Sequence, residues 1–518
     1  MRRKRLIIIV LLAFIFLAPH VAAKGNTLVF SQGKYIRNNQ YNATFEYRST
    51  ELVGCSFAYA ELTELTQVEA EGLVRIIETD VRLFHDKLIG ADLQEPIVYA
   101  VLQTVRTGPY AVGQAVFCTP EDIRSGEYRH ALMQSILGSE KAWVVEGCLA
   151  YTLDETFDNA VIKAYVIKNG GSITGLWDTR FHKALNTLEQ LSMARQMAHS
   201  LVVDLIEYHG IDSLTGTIPD TWQAEWCERL ELSTRYDTEK AKRLNSLSLY
   251  WDSRYDVIAE SENSAYFFNV GDAGLKNADI VEDFLFRSEY GRAYILEYMH
   301  GRVSNANELW MRVNLTKVNC VVYEEMAGRI GKSTGNTIYI SNIIAYQHEQ
   351  THILLSAGMK PLYIITEGIA EYFELMLYPY SYTRDTIRYA LMETNRKNAW
   401  CVGYDAYCQY GGKLTEADFD MRLYINALAR YTFEHPGSPS SIPIIGTPIK
   451  DIIHYAGLSE EGIEFSYMQG CSLVGYLIDQ YGIDVVLNYI RLGTPFEDAF
   501  GKPATQVIDC WKATLFND

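Results

Sequence analysis

The chain lacks an excess of positive charge, and this excludes two classes of partner. Its 518 residues contain 46 Lys and Arg against 64 Asp and Glu, which gives a formal net charge of −18. A nucleic-acid-binding protein needs a basic face to neutralise phosphates, and a protein held at an anionic membrane surface needs a polybasic segment. We therefore expect no nucleic acid and no stable membrane insertion beyond the N-terminal segment described below.

Glycine and proline show no enrichment of the kind found in low-complexity or collagen-like chains, with 36 Gly and 13 Pro. Hydrophobic residues make up 48% and charged residues 21%, the balance of a globular protein rather than a disordered one. Because the chain is longer than one hydrophobic core usually supports, we expect two or three domains.

Beyond the N-terminus there is no apolar run long enough to span a bilayer. Residues 1–5 are basic, residues 6–18 are continuously apolar, and Ala22 and Ala23 supply small residues before Lys24. This pattern predicts a signal peptide over residues 1–23 and a secreted or extracytoplasmic protein. An uncleaved membrane anchor is the alternative, although the apolar run is short of the roughly 20 residues that a span requires.

Cysteines are few and form no dense CxxC framework. There are nine, an odd number, and Cys401 and Cys408 are the closest pair. Export permits disulfides, but pairing cannot be read from spacing, so a local bridge and two free thiols both remain open for this pair.

The chain contains an internal repeat. Eight of thirteen positions are identical, without a gap, between residues 200–212 and 472–484. Two further segments match in the same order, residues 113–119 with 335–341 and residues 146–151 with 367–372. Three matches in register indicate a tandem duplication. We predict one domain over residues 24–245 and a second over residues 246–518.

Hydrophobic periodicity in the second half predicts an α+β fold. Residues 278–300 have apolar residues at helical spacing, and residues 318–323 read as a short buried strand. Residues 337–341 alternate and are β-branched, which is typical of an edge strand. A helix capped near Asn342 should follow, then another that ends near Pro379. Each domain is therefore expected to have a small mixed sheet and dominant helices.

An HExxH motif spans residues 348–352 and predicts a metal site. Positions i and i+4 share one face of a helix, so the imidazoles of His348 and His352 can reach the same ion. Glu349 then lies beside the ion rather than on it. There it can take a proton from an attacking water as a general base.

A second helix offers carboxylates to the same site. Glu367 can act as a third ligand, which leaves one position open, as catalytic zinc requires. Glu371 lies one turn further on and can accept the other ring N–H of a ligating histidine. The alternative is that both form a solvated helix face, but the apolar residues around them favour buried carboxylates with partners.

These motifs resemble those of the gluzincin zinc metallopeptidases, in particular the peptidase MA-like group. The resemblance covers residues 256–518 and rests on HEQTH at 348–352 followed by TEGIAEY at 366–372. The sequence departs from the family pattern in two places. Residues 363–365 replace the usual Trp-Leu, and the spacer before Glu367 is shorter than in the aminopeptidase branch, which leaves the substrate class open.

The resemblance implies a zincin-like fold with one zinc ion per chain, held by His348, His352 and Glu367, with Glu349 as general base. It also implies a tyrosine from the C-terminal helices that hydrogen-bonds the oxyanion, and Tyr467 is the candidate. A packed helix tyrosine is the alternative reading of Tyr467.

The first domain lacks most of these residues. It reads HALMQ at 130–134, so that Ala131 replaces the base and Gln134 the second histidine. Glu146 remains opposite Glu367, but Ala150 stands opposite Glu371, and Arg195 stands opposite Tyr467. Two ligands do not hold a catalytic zinc, so we expect an inactive, pseudoenzyme-like copy.

These observations favour an exported zinc metallopeptidase that acts on a peptide or protein substrate, with a non-catalytic first domain. Two alternatives remain. One is an exported non-catalytic scaffold or binding protein built from two peptidase-like modules. The other is a hydrolase that acts on a substrate other than a peptide, because fold and metal do not select the substrate.

Overall fold

The computed structural model describes most of the chain after residue 27. The described residues are 28–38, 43–52, 55–60, 63–94, 98–105, 108–139, 141–169, 178–216, 218–235, 237–250, 254–326, 330–355, 362–392, 406–413, 419–434 and 460–516. The predicted signal peptide, residues 1–23, lies outside them. Within the described ranges, no helix combines the length and the apolar character that a membrane crossing needs.

The chain divides into two compact units. The first comprises Met1–Ala241 with Asp252–Arg254, and the second comprises Lys242–Trp251 with Tyr255–Asp518. The division at Ala241 falls close to the border predicted between residues 245 and 246. Each unit combines helices with one small mixed sheet, so the α+β fold class is confirmed.

The sheet of the first unit has six strands in the order β1-β2-β3-β4-β6-β5. Pairing is antiparallel from β1 to β3, parallel from β3 through β4 to β6, and antiparallel between β6 and β5. The strands are β1 (Ser31–Asn38), β2 (Ala43–Leu52), β3 (Cys55–Ala60), β4 (Val98–Val101), β5 (Tyr110–Val112) and β6 (Ala115–Cys118).

The sheet of the second unit repeats this arrangement, in the order β7-β8-β9-β10-β12-β11. The directions are also the same, with β10 parallel to both of its neighbours and β11 antiparallel to β12. The strands are β7 (Ser248–Tyr250), β8 (Val257–Glu260), β9 (Ser264–Phe268), β10 (Val318–Val322), β11 (Gly331–Thr334) and β12 (Thr337–Ile340).

Helices make up most of both units. Those before residue 246 are α1 (Gln67–Lys87), α2 (Pro120–Ser125), α3 (Arg129–Leu137), α4 (Ala142–Thr152), α5 (Asn159–Lys168), α6 (Leu188–His209), α7 (Asp220–Arg229) and α8 (Thr238–Asn245). Those after it are α9 (Ala278–Met299), α10 (Asn305–Asn314), α11 (Tyr346–Leu355), α12 (Tyr363–Tyr372), α13 (Tyr382–Met392), α14 (Met421–Glu434), α15 (Glu460–Tyr481), α16 (Ile483–Leu492), α17 (Phe496–Phe500) and α18 (Ala504–Phe516). The helix predicted over residues 278–300 is confirmed by α9.

The prediction that residues 337–341 form an edge strand is wrong. The strand β12 lies between β10 and β11, and β11 is the outermost strand on that side of the sheet. The sequence of β11, GKST, has no alternating apolar residues and only one β-branched residue, Thr334, so its periodicity does not reveal a strand. A tight turn with Gly335 at φ 60° joins β11 to β12, a conformation that glycine adopts without strain.

Of the cysteines, seven in the described ranges are free thiols, including the exposed Cys408. Cys401, which is closest to Cys408 in sequence, lies outside those ranges.

A hydrogen-bond chain that begins at a buried tryptophan recurs in both units. In the first unit the Trp226 indole N–H donates to Ser200 Oγ at 3.1 Å, and Ser200 Oγ donates to Asn159 Oδ1 at 2.7 Å. In the second unit Trp511 donates to Ser472 Oγ at 3.1 Å, and that hydroxyl donates to an Asn426 oxygen at 2.7 Å. Ser200 and Ser472 open the longest sequence match, so the repeat extends to three-dimensional contacts.

Close helix crossings define the interior of each unit. In the second unit α12 crosses α15 where Gly368 meets Gly470, and a methyl group on Gly470 would lie 2.6 Å from the Ile364 carbonyl oxygen. In the first unit α4 crosses α6 where Gly147 meets Ala198, and a methyl group on Gly147 would lie 2.5 Å from the Ala198 carbonyl oxygen. Neither Gly368 on α12 nor Gly147 on α4 has room for a side chain.

We predict that Gly368→Ala destabilises the second unit by about 1–3 kcal/mol, because the added methyl group overlaps the Gly470 backbone and the helices must separate. Denaturant or thermal unfolding checks this. Gly475→Ala is the matched control on α15, since its methyl group would lie 3.6 Å from the Tyr372 ring, an ordinary contact. That control should be neutral, or stabilising by up to about 1 kcal/mol. Equal effects of the two variants would show that the crossing is not tightly packed.

Candidate metal centre

Helix α11 is fixed by polar contacts before its histidines and between them. The Asn342 side chain accepts from the Ile344 N–H and caps a short 3₁₀ turn, Ile343–Ala345, that leads into the helix. Between the two histidines, the Gln350 side chain donates to Tyr346 Oη at 3.1 Å and accepts from Tyr378 Oη at 2.6 Å. Because both ends of this amide are bonded, the rotation of α11 about its axis is well determined.

The structure brings together the three predicted ligands. His348 Nε2 lies 3.1 Å from Glu367 Oε2 and 2.9 Å from His352 Nε2, and His352 Nε2 lies 3.3 Å from Glu367 Oε2. The three donor atoms therefore form a small triangle between α11 and α12.

The size of this triangle fits a metal ion of the zinc type. Donor atoms about 2.0–2.1 Å from a tetrahedral ion lie roughly 3.3 Å apart, close to the three distances observed. Two histidine nitrogens and a carboxylate oxygen are also the donor set of a catalytic zinc site with three protein ligands. Within the described residues, both groups of His, Cys, Asp and Glu that could hold an ion lie in the second unit, and both include His348.

Glu371 lies on the far side of the His348 ring. Its Oε1 is 3.0 Å from His348 Nδ1, and the side chain is only 6% exposed. A carboxylate at Nδ1 favours the tautomer with its proton there and leaves the Nε2 lone pair directed at the donor triangle. This is the position that sequence reasoning assigned to Glu371.

Burial and the carboxylates act in opposite directions on His348. Burial alone would lower its pKa, but the hydrogen bonds to Glu367 and Glu371 outweigh this and raise the pKa well above its usual value of 6.5. Burial would also raise the pKa of Glu367, yet His352 and His348 lower it well below 4.5. Without a metal, the site therefore holds a proton between these side chains.

Glu349 lies beside Gly331 of the outermost described strand, β11. It is 8% exposed, and a methyl group on Gly331 of β11 would lie 3.2 Å from its Oε1 and 3.1 Å from its Cγ. The same methyl group would lie 2.7 Å from Ala345 Cβ. Gly331 thus allows the backbone of the outermost strand to run directly beside this carboxylate.

Tyr467 reaches the site from α15. Its ring stacks on His348, with centroids 5.6 Å apart and planes inclined by 28°. The structure therefore places the Tyr467 ring against a histidine of the triangle.

The corresponding place in the first unit is closed by an arginine. His130 Nδ1 lies 2.7 Å from Glu146 Oε1, and Arg195 forms an ion pair with the other oxygen of Glu146. Arg195 also donates from Nε and Nη2 to Glu155, at 2.8 and 2.7 Å. Burial would lower the pKa of Arg195, but its pairing with Glu155 and Glu146 raises it. The guanidinium of Arg195 thus compensates the negative charge of Glu146.

Sequence reasoning missed three features of these sites. Arg195 was aligned with Tyr467, but its ion pair with Glu146 depends on the crossing of α4 and α6. Gly331 had no motif to mark it. Gln350 lay inside the HExxH motif as a variable position, and only its buried partners reveal that it orients the helix.

No family model, curated protein or solved structure matches this chain.

The pKa shifts predict how the metal-free protein responds to pH. A histidine whose folded pKa is raised stabilises the fold fully below its unfolded value, 6.5, and this contribution is lost as pH rises through the folded pKa. A glutamate whose folded pKa is lowered stabilises the fold fully above its unfolded value, 4.5. This stabilisation is lost as pH falls through the folded pKa. His348 and Glu367 together should therefore stabilise the chelator-treated protein most between pH 4.5 and 6.5.

Thermal unfolding of chelator-treated protein across this range and upward to about pH 9 checks the expectation. The unfolding temperature of the second unit should fall as pH rises above 6.5. His348→Asn is the control, because it removes the titrating ring and should flatten this decline. An equally steep decline in that variant would place the titrating group elsewhere.

Proposed function

We propose that the second unit is a zinc-dependent metallopeptidase with a zincin-like fold, similar to gluzincins, that acts on peptide or protein substrates outside the cytoplasm. The observation that supports this most directly is the triangle of His348, His352 and Glu367 donors. Helix α11, which carries the two histidines, also carries the buried Glu349 beside the outermost described strand. A scaffold protein has no need for this combination of three converging donors and an adjacent base.

The chemistry follows from the positions of the side chains. A zinc ion held by the triangle would supply a Lewis acid that lowers the pKa of a water and polarises a carbonyl group. Glu349 removes the proton from the attacking water and later delivers it to the leaving amine. Glu371 holds the His348 ring in the orientation that presents Nε2, and the Tyr467 hydroxyl is the proposed oxyanion donor.

We propose β11, rather than β12, as the strand that binds an extended peptide. It is outermost in the described sheet and antiparallel to β12, so its free edge can accept main-chain hydrogen bonds by strand addition. Gly331 at its start lies beside Glu349, so a peptide paired with this strand would pass close to the base.

The first unit is proposed to be a non-catalytic copy that arose by tandem duplication. It has the same sheet order and the same Trp–Ser–Asn chain, but Ala131 replaces the base. Arg195 forms an ion pair with Glu146, the carboxylate that would otherwise face a metal. The guanidinium and a metal ion would compete for Glu146, so metal binding there is disfavoured electrostatically.

The central test is Glu349→Gln. This variant should retain one zinc ion per chain and lose peptide hydrolysis by about 100-fold or more, because the base is removed while the ligands stay in place. Metal analysis of the purified protein and a cleavage screen with mixed peptides measure the two properties.

His130→Asn in the first unit is the matched control and should change neither zinc content nor turnover. A wild-type protein without tightly bound zinc would favour the alternative of a non-catalytic scaffold. Zinc without peptide cleavage would favour a hydrolase with a different substrate.

We also predict that Gly331→Ala lowers turnover by about 10–100-fold and leaves zinc bound, because the new methyl group pushes on Glu349 without touching the ligands. Steady-state kinetics and metal analysis check this. Gly72→Ala is the control, since a methyl group there has no neighbour within 4 Å. Unchanged turnover in Gly331→Ala would contradict the placement of the base against β11.

A further inference from the structure

A third glutamate lies behind the ligand histidine and belongs to no motif discussed so far. Glu374 is 2% exposed, and its Oε2 lies 4.0 Å from His348 Nδ1. His348 Nδ1, Glu371 and Glu374 together form a compact buried group on the side of the ring opposite the donor triangle. Resting on the proposed function, we infer that Glu374 is a positioning residue that, together with Glu371, holds His348 in its ligating orientation and tautomer.

The backbone brings Glu374 to this place through an unusual turn. Helix α12 continues as a π-helix, Phe373–Leu377, in which the Tyr378 N–H donates to the Phe373 carbonyl oxygen at 2.9 Å. Such i to i−5 turns are rare and occur frequently at functional sites. Glu367, Glu371 and Glu374 are spaced at i, i+4 and i+7, so they share the helix face directed at His348.

Glu374 is itself held from outside the metal site. Its Oε1 accepts hydrogen bonds from Thr383 Oγ1 and, at 3.4 Å, from Ser381 Oγ. Ser381 Oγ in turn accepts from the Arg384 N–H at the start of α13. These hydroxyls bind one oxygen of Glu374 and leave the other facing the His348 ring. These contacts hold the carboxyl group of Glu374 in one position near His348 Nδ1.

The first unit provides an internal comparison. Continuing the match of Glu146 with Glu367, Ala150 stands at the position of Glu371 and Leu153 at the position of Glu374. Helix α4 ends at Thr152 with Leu153 as its C-cap, and a single i to i−5 bond from the Glu155 N–H to the Ala150 carbonyl oxygen, at 3.0 Å, follows in place of a π-helix. The unit without a complete ligand set thus lacks both rear carboxylates, although it retains Glu146 and the glycine crossing.

Two carboxylates on one side of an imidazole have a definite effect on the ring. The proton is favoured on Nδ1, which faces the negative charge, so the Nε2 lone pair remains available to the donor triangle. Glu371 makes the direct hydrogen bond at 3.0 Å, while its other oxygen is buried without a hydrogen-bond partner in the structure. Glu374 adds a second carboxyl group near Nδ1, and its hydrogen bonds to Thr383 and Ser381 hold it independently of Glu371.

The test uses Glu374→Gln in the full-length protein. Glutamine keeps an oxygen acceptor for Thr383 and Ser381 and places an amide nitrogen, instead of the second carboxyl oxygen, toward His348 Nδ1. We expect zinc affinity, measured by competition with a chromophoric chelator, to fall by about 10-fold, the lower end of the range for partners of metal ligands. Steady-state kinetics at saturating zinc should show KM little changed and kcat reduced. Glu374→Leu, which copies the first unit, should lower zinc affinity further.

The surface variant Glu297→Gln on α9 makes the same substitution at an exposed residue and should leave zinc affinity unchanged. If Glu374 were only structural, Glu374→Gln would lower the unfolding temperature of the zinc-free protein while zinc affinity and kcat stayed at wild-type values. That result would overturn the inference. A wild-type protein that binds no zinc would instead overturn the proposed function, so the two failures are distinguishable.

Discussion

The contact between Gly368 and Gly470 is the constraint on which the candidate metal site depends. It lets the backbones of α12 and α15 approach more closely than any side chain would permit. Helix α12 supplies Glu367 and Glu371, and α15 supplies Tyr467, so this crossing sets the distance of all three from the histidines. Since the glycine follows Glu367 directly, a shift of the crossing would move a proposed ligand with it.

The balance of buried charge explains the difference between the two units. In the first unit the guanidinium of Arg195 compensates Glu146, and no further cation is needed there. In the second unit the same helix position holds Tyr467, which brings no positive charge. His348 and His352 face Glu367, while Glu371 and Glu374 lie behind His348. A buried carboxylate requires a partner, and the proposed zinc would take the part that arginine takes in the first unit.

Much of the second unit could be predicted from local sequence. The HExxH spacing places two imidazoles on one helix face whatever surrounds the helix, and the structure brings both to Glu367 as expected. The α+β class followed from periodicity. The edge strand was assigned incorrectly because β11 is short and polar, and a strand that binds only through its backbone leaves no hydrophobic pattern. Gly331 and Arg195 have roles that arise from partners distant in the chain, which periodicity does not record.

The sequence by itself determined which side chains are available and how they are spaced along each helix, because helical geometry is local and repeats every 3.6 residues. Only the tertiary structure decided that Glu349 lies against β11 and that Arg195 pairs with Glu146. It also decided that Glu374 turns back behind His348. These arrangements depend on close packing between segments far apart in the chain and on where buried charges find partners, and neither property can be read from the order of residues alone.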